Sequence, residues 1–306
     1  MSMTNEQKGE RRITARTGIL GLLGHPVGHS LSPCLQNGLA EFMGTDQCYL
    51  AYDVEPSDLE KAVEGAHALG MSGLNVTVPH KQAVREFLLK EDEVAARIGA
   101  VNTLKRREGG WKGYNTDVSG FLRACDSDGV ELKGKKIVLL GAGGAAYAVL
   151  YGILSREPKR VLIYNRSVDR AQALQDHMRE HFPETDLSVA FNLQELLEKM
   201  SRAGDGWVAV QTTSLGMYPE TESKAVEDPA FYELLECGVD IVFNPAETAF
   251  MKAVRAAGPD KKAYNGLKML LFQGVRSFEI WNDVSVPDEV ALELLGRMRA
   301  ELDAMN

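Results

Sequence analysis

Short apolar runs alternate with segments of helical spacing along the first third of the chain. Residues 19–23, 48–54 and 73–78 are apolar runs with the length of buried strands. Ser32 followed by Pro33 predicts the start of a helix that continues to about residue 43, because serine caps helices and proline suits the first helical turn. The pattern therefore predicts an α/β arrangement at this end of the chain.

A second run of strands and helices follows Gly134. Its strand candidates are residues 135–140, 160–164, 187–191, 207–212 and 239–243. Strands that alternate with helices predict a parallel, doubly wound sheet. Between the two runs, residues 101–105 and 111–114 flank a glycine turn and predict a hairpin, whereas residues 267–281 and 287–305 predict two final helices.

Composition narrows the class of protein. The 306 residues are 44% hydrophobic and 25% charged, which excludes a disordered chain and a disulfide scaffold. The formal net charge is −9 without a dense Lys/Arg run, so binding to nucleic acid is not expected. Four cysteines without a C-x-x-C pair are typical of reduced thiols in a cytoplasmic protein.

No segment has the pattern of a signal peptide or a membrane span. Residues 1–14 are polar and lack an apolar segment, so we interpret them as a frayed tail and expect no signal peptide. The uncharged run at residues 137–155 contains four glycines and changes its period midway, which predicts a strand, a turn and a buried helix. We therefore expect no membrane partner.

A glycine-rich turn follows the strand at residues 135–140 and precedes a helix. It matches G-x-G-x-x-A and consists of Gly141, Ala142, Gly143, Gly144, Ala145 and Ala146. In this context, glycines let the backbone approach a pyrophosphate, and the helix N-terminus supplies unpaired N–H groups. The turn therefore predicts a dinucleotide site.

The end of the next strand indicates which dinucleotide binds. An NAD site usually has an acidic residue there for the ribose 2′-hydroxyl, but this chain has Asn165, Arg166 and Ser167, with Arg170 one turn later. Two guanidinium groups and a hydroxyl suit a 2′-phosphate, which favours NADP over NAD. Asp169 is the one acidic residue in this segment, and it could pair with either arginine. The alternative interpretation is that Arg166 and Arg170 are solvated surface residues.

Short hydrogen-bonding side chains cluster at the ends of predicted strands and helices in the first section of the chain, which precedes Gly134. They are Ser30, Ser32, Asn75, Thr77, Lys81, Asn102, Asn115, Thr116 and Asp117. Taken alone, Ser30 and Ser32 could simply cap a helix. Asp117 could stabilise the first turn of a helix, and Lys81 could be an ordinary surface residue. Together they predict a pocket for a polyhydroxylated substrate, because each buried polar group without a partner costs about 1–3 kcal/mol.

These motifs resemble those of the shikimate dehydrogenase family and occur in the same order as in that family, from residue 18 to about residue 282. The remaining motifs are Thr213-Ser-x-Gly216-Met217, Asn244-Pro245 and Asn265-Gly266-Leu-x-Met269-Leu-x-x-Gln273. The resemblance implies NADPH-dependent reduction of 3-dehydroshikimate to shikimate on the route to chorismate and the aromatic amino acids. It also implies an α/β substrate-binding domain at residues 1–120, with residues 267–306 packed back on it, and a Rossmann-type NADP domain at residues 121–266.

The resemblance further implies a role for each motif residue. Lys81 would be the catalytic acid/base beside Asp117, and Ser30 and Ser32 would hold the substrate carboxylate. The ring hydroxyls would be held by Asn75, Thr77, Asn102, Asp117 and Gln273. The cofactor would contact the glycine turn, Asn165, Arg166, Ser167, Arg170, Thr213, Ile241 and Gly266.

The residue types agree with hydride transfer to a ketone. Negative charge builds on the ketone oxygen, and an ammonium group such as that of Lys81 can stabilise the charge and donate the proton. Because the hydride comes from the nicotinamide, no metal is needed. His177 and His181 match the zinc pattern H-x-x-E-H, but no third ligand follows, so a solvated helix face is the better interpretation.

Phe243 is a departure from the family pattern, which usually has tyrosine before Asn-Pro. The missing hydroxyl removes one donor for the substrate carboxylate, so quinate or another cyclohexene carboxylate is the alternative substrate. An NAD-linked catabolic enzyme and a non-catalytic sensor are less well supported, because Asn165 and Arg166 are not acidic and both Lys81 and Asp117 are present. The sequence leaves the oligomeric state open, with a homodimer as one candidate.

Overall fold

Two six-stranded sheets organise the chain in the computed structural model, which describes residues 13–305. The polar stretch at residues 1–14 was interpreted as a frayed tail, and residues 1–12 of it lie outside the described part. Strands β1 to β6 form the first sheet and β7 to β12 the second. The predicted mixed α/β class is confirmed.

The first sheet is mixed and has the strand order β2-β1-β3-β5-β6-β4. Its strands are β1 (Gly18–Gly24), β2 (Gln47–Asp53), β3 (Gly73–Val76), β4 (Lys90–Glu91), β5 (Thr103–Arg107) and β6 (Gly110–Tyr114). Strand β1 pairs in parallel with β2 and β3, while β5 pairs antiparallel with β3 and β6, so the predicted hairpin is confirmed. Strand β3 ends two residues earlier than predicted, which leaves Thr77 and Val78 in the loop that leads to Lys81.

Four α-helices accompany this sheet, with 3-10 turns at Pro56–Asp58 and Ala83–Phe87. The helices are α1 (Ser32–Phe42), α2 (Leu59–Ala68), α3 (Glu93–Ile98) and α4 (Asp117–Asp128). Helix α1 begins at Ser32 itself, with Leu31 in the N-cap position and no side-chain cap. The prediction that Ser32 caps this helix was therefore wrong, because its hydroxyl makes no bond to the first-turn N–H groups.

The second sheet is parallel throughout and has the order β12-β11-β10-β7-β8-β9. Its strands are β7 (Lys136–Leu140), β8 (Arg160–Tyr164), β9 (Leu187–Ala190), β10 (Trp207–Gln211), β11 (Leu235–Asp240) and β12 (Lys262–Tyr264). Its helices are α5 (Gly144–Ser155), α6 (Val168–Arg179), α7 (Leu193–Ala203), α8 (Pro229–Glu233) and α9 (Ala249–Ala256). The doubly wound prediction is confirmed, but β11 lies about four residues earlier than predicted, so residues 241–243 follow the strand.

The last two helices pack against the first section of the chain. Helix α10 (Leu267–Asn282) contacts α4 and α1, and α11 (Asp288–Met305) contacts α1. Leu35, Leu271 and Phe278 are fully buried in the cluster that joins them. Trp281 belongs to a different cluster, where it packs near Tyr49 and its indole N–H donates to the Leu104 carbonyl at 2.9 Å.

No helix among the described residues is long and apolar enough to cross a membrane.

Candidate active site

One cavity is lined by both sections of the chain. The first section contributes the loop after β1, the end of β3 and the start of α4, while the second contributes Met217 and the residues after β11. The start of α10 closes one side with Gly266, Met269 and Gln273. The predicted residues that line this cavity are Ser30, Ser32, Asn75, Thr77, Lys81, Asn102, Asp117, Ile241, Phe243, Gly266 and Gln273.

Lys81 and Asp117 form an ion pair inside this cavity. The Lys81 Nζ lies 2.6 Å from Asp117 Oδ2, and the side chains are 27% and 11% exposed. The backbone carbonyl of Lys81 accepts from the Val101 N–H at 2.8 Å, which anchors the loop after β3. Asp117 is the first residue of α4, and its N–H donates to Asn115 Oδ1 at 3.0 Å. Two loops that are distant in sequence are therefore tied down around one charged pair.

Asn102 fixes the other oxygen of Asp117. The backbone N–H of Thr116 donates to Asn102 Oδ1 at 2.8 Å, so the amide nitrogen must face the opposite way. That nitrogen donates to Asp117 Oδ1 at 2.9 Å. Both oxygens of Asp117 consequently face donors, which is the arrangement that an ionised carboxylate requires.

A buried cluster of hydroxyl groups lies behind Asn75 and Asn102. Thr103, Thr116 and Ser277 are at most 1% exposed, and Ser277 Oγ lies 2.8 Å from Thr103 Oγ1. The Asn75 amide nitrogen points at Ser277 Oγ, at 3.0 Å. Ser277 was not predicted as a site residue, because it lies on α10 more than 170 residues after Thr103 and no local motif marks it.

Asp117 begins α4, but the preceding Thr116 does not cap the helix with its side chain. The structure gives Thr116 the N-cap position without a side-chain cap bond. Its hydroxyl instead lies 3.2 Å from Asn102 Oδ1. Thr116 therefore occupies the N-cap position but directs its side chain to Asn102 instead of the first turn of the helix.

Ser30 and Ser32, to which the resemblance assigns the substrate carboxylate, line the cavity at the start of α1. The Ser32 N–H donates to Ser30 Oγ at 3.2 Å, and Ser32 is only 9% exposed. Phe243 lines the same cavity and its side chain has no hydrogen-bond donor. The half-buried Gln273 donates to the Leu270 carbonyl at 2.9 Å and keeps its amide oxygen 3.5 Å from Thr116 Oγ1.

The glycine turn has the shape that a pyrophosphate needs. Gly141 has φ of +111°, and a Cβ there would lie 2.7 Å from Thr212 Oγ1, so only glycine fits. A Cβ on Gly143 or Gly144 would meet no atom within 4 Å, so this face of the turn is open. Ala142 is buried beneath it, and α5 begins at Gly144 with its first N–H groups free of a side-chain cap. Turn and helix end therefore fit an anionic dinucleotide.

The residues after β8 present two free guanidinium groups. Arg166 and Arg170 are exposed, and neither takes part in an ion pair that the structure shows within residues 13–305. Asp169 forms no ion pair with them, so its suggested pairing is not observed in this part of the chain. Asn165 Nδ2 donates to the Ser167 carbonyl at 2.8 Å, which holds the loop that carries Arg166.

Two backbone segments meet beside the cavity, where the resemblance puts the nicotinamide. A Cβ on Gly266 would lie 1.9 Å from the carbonyl oxygen of Ile241, so the two segments touch and residue 266 must be glycine. Thr213 is held by the buried Gln211, whose Oε1 accepts from the Thr213 N–H and hydroxyl at 2.9 and 2.7 Å. Neither Gln211 nor its role was predicted.

Asp240 anchors the backbone segment that contains Ile241. It is fully buried and accepts from the Val242 N–H at 3.0 Å and from the Thr248 hydroxyl at 2.7 Å. Burial, opposed by these two hydrogen bonds, raises the pKa of the Asp240 carboxyl to about 6. The acidic end of β11 is therefore a structural group that titrates in the physiological range.

We expect Asp240→Asn to remove a pH dependence of stability. Because folding raises the pKa from 3.8 to about 6, the contribution of Asp240 is complete below pH 3.8 and is lost as the pH rises through 6. The shift of about two units corresponds to roughly 3 kcal/mol. The difference in Tm between wild type and variant should fall from pH 4 to pH 7 in thermal melts, whereas the exposed control Asp303→Asn should show no such trend.

The histidines outside the cavity have ordinary partners. His177 Nε2 lies 2.6 Å from the Arg97 carbonyl and its ring packs edge-on against His181. His25 Nδ1 pairs with Asp53 at 2.6 Å, and this hydrogen bond raises the pKa of the exposed imidazole. Among the residues that the structure describes, no group of three or more His, Cys, Asp or Glu side chains could hold a metal ion.

Comparisons with known proteins agree over most of the chain. Three family models match: a shikimate dehydrogenase substrate-binding domain over residues 22–104, shikimate/quinate 5-dehydrogenase over residues 124–203, and a shikimate 5′-dehydrogenase C-terminal domain over residues 266–295.

Individual relatives cover almost all of both chains. The shikimate dehydrogenase (NADP(+)) of Moorella thermoacetica is 40% identical over 290 residues, which is 93% of this chain and 96% of that protein. The enzyme of the same name from Methanopyrus kandleri is 40% identical over 92% of this chain and 96% of its own. A solved shikimate 5-dehydrogenase from Thermus thermophilus, in complex with NADP(H) and shikimate, has a TM-score of 0.79 and 33% identity, covering 92% of this chain and 99% of its own. The chain therefore belongs to the shikimate dehydrogenase family.

Proposed function

We propose that this protein catalyses the reversible, NADPH-dependent reduction of 3-dehydroshikimate to shikimate, a step in chorismate and aromatic amino-acid biosynthesis. The observation that carries the proposal is the Lys81–Asp117 pair, which lies in a cavity of hydroxyl and amide groups beside Ile241 and Gly266. Relatives at 40% identity carry the name of NADP-dependent shikimate dehydrogenase. The supporting evidence is thus both chemical and evolutionary.

Lys81 is the proton donor in this proposal. When bound, NADPH would supply the hydride for the ketone carbon, so negative charge would develop on the ketone oxygen. The ammonium of Lys81 stabilises that charge and transfers a proton to the oxygen. Asp117 orients the ammonium through its 2.6 Å contact, while Asn102 holds Asp117 in place. In the reverse direction, neutral Lys81 removes the proton from the hydroxyl group.

The remaining cavity residues hold the substrate. Ser30 and Ser32 donate to the carboxylate, which suits their place at the start of α1, where the helix dipole favours an anion. The ring hydroxyls are bound by amide, hydroxyl and carboxylate groups, namely Asn75, Thr77, Asn102, Asp117 and Gln273.

The second section of the chain would hold the cofactor. The turn Gly141, Ala142, Gly143, Gly144 and Ala145 would bind its pyrophosphate, and Asn165, Arg166, Ser167 and Arg170 would bind its 2′-phosphate. Thr213, Ile241 and Gly266 would contact the nicotinamide. The open face of the turn and the two unpaired guanidinium groups support this assignment.

A direct absorbance assay tests the activity. Purified enzyme is given shikimate, quinate or 3-dehydroshikimate with NADP⁺, NAD⁺, NADPH or NADH, and absorbance at the nicotinamide band is followed. We expect kcat/KM to be highest for the shikimate pair with NADP(H). A preference for quinate would select the alternative that Phe243 leaves open, and no turnover with any pair would overturn the proposal.

Phe243→Tyr should lower the KM for shikimate. A phenol hydroxyl at this position would add a third donor to the carboxylate end of the cavity, and a hydrogen bond to a charged group contributes about 1.5–3 kcal/mol. We expect KM to fall about tenfold with little change in kcat, measured by initial rates. Phe191→Tyr, on an exposed phenylalanine outside the cavity, is the control, and an unchanged KM in Phe243→Tyr would show that another group already serves the carboxylate.

We further propose that the protein works in the cytoplasm as two functional units. The first unit comprises residues 1–120 with residues 267–306, and the second comprises residues 121–266. The separate sheets and the contacts of α10 and α11 with α1 support this division. Its partners are small molecules rather than nucleic acid or membranes, and a homodimer is the assembly to test by light scattering.

A further inference from the structure

The side chain of Gln211 turns back onto the loop that follows β10. It is fully buried, and its Oε1 accepts from the Thr213 N–H at 2.9 Å and from the Thr213 hydroxyl at 2.7 Å. Its Nε2 donates to the carbonyls of Thr213 at 3.3 Å and of Leu215 at 3.1 Å. One buried amide therefore uses both of its lone pairs and both of its N–H groups to hold this loop.

These contacts fix the direction of every proton around Thr213. A backbone N–H can only donate and a backbone carbonyl can only accept, so the Gln211 oxygen faces the Thr213 N–H and the nitrogen faces Leu215. The Thr213 hydroxyl, at 2.7 Å from the amide oxygen, must give that oxygen its single proton. The Leu215 N–H donates to the same hydroxyl at 3.2 Å and occupies one of its two lone pairs. The Thr213 hydroxyl can therefore form one more hydrogen bond, and only as an acceptor.

Thr213 is a neighbour of the glycine turn and is open to a ligand. A Cβ built on Gly141 would lie 2.9 Å from Thr213 Cγ2. Thr213 is half-buried, whereas Gln211 is fully buried, so a ligand can reach the threonine but not the amide that holds it. At the nicotinamide end of NADP(H), the carboxamide N–H and the ribose hydroxyls can donate a hydrogen bond, whereas the pyrophosphate oxygens only accept.

We propose that Gln211 is a positioning residue that holds the Thr213 hydroxyl as an acceptor, so that Thr213 receives a hydrogen bond from a donor group at the nicotinamide end of the cofactor. This inference rests on the proposed function, which puts Thr213 beside the nicotinamide. Without Gln211, the hydroxyl proton would be free to rotate and the loop would lose four hydrogen bonds. The acceptor is thus in place before the cofactor arrives.

A double-mutant cycle tests the proposal. The Kd of NADP⁺ is measured by titration calorimetry in wild type, Thr213→Val, Gln211→Met and the double variant. Thr213→Val replaces the hydroxyl by a methyl group and should weaken binding about three- to tenfold, the usual contribution of one hydrogen bond. In the Gln211→Met background the hydroxyl is no longer held, so the added cost of Thr213→Val should fall below about twofold. Thr213→Ser keeps the hydroxyl and should stay within about twofold of wild type.

The 3-acetylpyridine analogue of NADP⁺ identifies the donor, because its methyl ketone lacks the amide N–H. If the carboxamide donates, Thr213→Val should not weaken the binding of this analogue. If a ribose hydroxyl donates, Thr213→Val should weaken the analogue as much as it weakens NADP⁺. Either result supports the proposal.

Gln194→Met is the matched control, because Gln194 is exposed on α7 and its amide donates to the Glu198 side chain at 3.1 Å. It should leave the Kd of NADP⁺ unchanged. The KM for shikimate should not change in Thr213→Val or Gln211→Met, because the loop acts on the cofactor; a raised shikimate KM together with a lower Tm in both would show a structural role only and would overturn the proposal.

Two further results would overturn the inference. An unchanged Kd in Thr213→Val would do so even if Gln211→Met does not fold, and so would an equal cost of Thr213→Val with and without Gln211. Failure of the proposed function is a separate result, because it appears as absent shikimate turnover in the wild-type enzyme, on which the cofactor titrations do not depend.

Discussion

Replacement of Lys81 by alanine is expected to lower kcat for shikimate oxidation by about 10²–10⁴-fold, the usual contribution of a positioned proton donor. The variant removes the ammonium that donates to Asp117 Oδ2, but it leaves the glycine turn and the β8 loop untouched. The Kd of NADPH should therefore stay within about twofold of wild type. Steady-state rates and a fluorescence titration of NADPH measure the two quantities.

Lys61→Ala provides the control for loss of a lysine in an ion pair. Lys61 pairs with Asp58 on the surface, and its side chain is 79% exposed, so its removal should change neither kcat nor cofactor affinity. Equal losses of turnover and NADPH affinity in Lys81→Ala, together with a lower Tm, would indicate misfolding. A variant with nearly full kcat would refute the assignment of Lys81 as the acid.

Replacement of Asp117 provides a second test of the same pair. In Asp117→Asn, the 2.6 Å ion pair is lost, although Asn102 still contacts the side chain and Asn115 still accepts from the backbone N–H of residue 117. Lys81 then lacks the carboxylate that orients its ammonium, so kcat for shikimate oxidation should fall by at least about tenfold in steady-state rates, while the Kd of NADPH stays within about twofold of wild type.

Local sequence patterns were sufficient to predict most of the fold. The parallel strands β7, β8 and β10 are continuous apolar runs, because both faces of the sheet are covered by helices. Strand β12 was missed because it has only three residues, two of them polar, and pairs only at the sheet edge. The shift of β11 arises because residues 241–243 are apolar like a strand, although the strand ends at Asp240 and both Ile241 and Phe243 line the cavity.

The motifs of the site could be predicted from the sequence, but the hydrogen bonds that connect them could not. Lys81 and Asp117 stand out because charged groups follow apolar segments in motifs of the family. Gln211 and Ser277 carry no such signal, since each contacts the site through a residue that the fold brings near. The bond between Asn75 and Ser277 spans 202 residues of sequence, and only the packing of α10 against the first section creates it.

Arg166→Ala combined with Arg170→Ala should weaken the binding of NADPH by about 10- to 100-fold, since a hydrogen bond to a charged group contributes about 1.5–3 kcal/mol. NADH lacks the 2′-phosphate, so its Kd should change by less than about twofold. Both arginines are exposed and neither has an ion-pair partner among the described residues, so their removal leaves no buried charge unpaired and should not lower Tm.

The matched control for this double variant is Arg202→Ala, because Arg202 is 79% exposed on α7 and pairs only with Glu198. Its NADPH and NADH affinities should equal those of wild type. The salt dependence adds a further readout: NADPH binding to wild type should weaken with rising ionic strength, and the double variant should lose much of that slope. If the ratio of NADPH to NADH affinity does not change in the double variant, the 2′-phosphate does not bind at this loop, and the preference for NADP must come from elsewhere in the cleft.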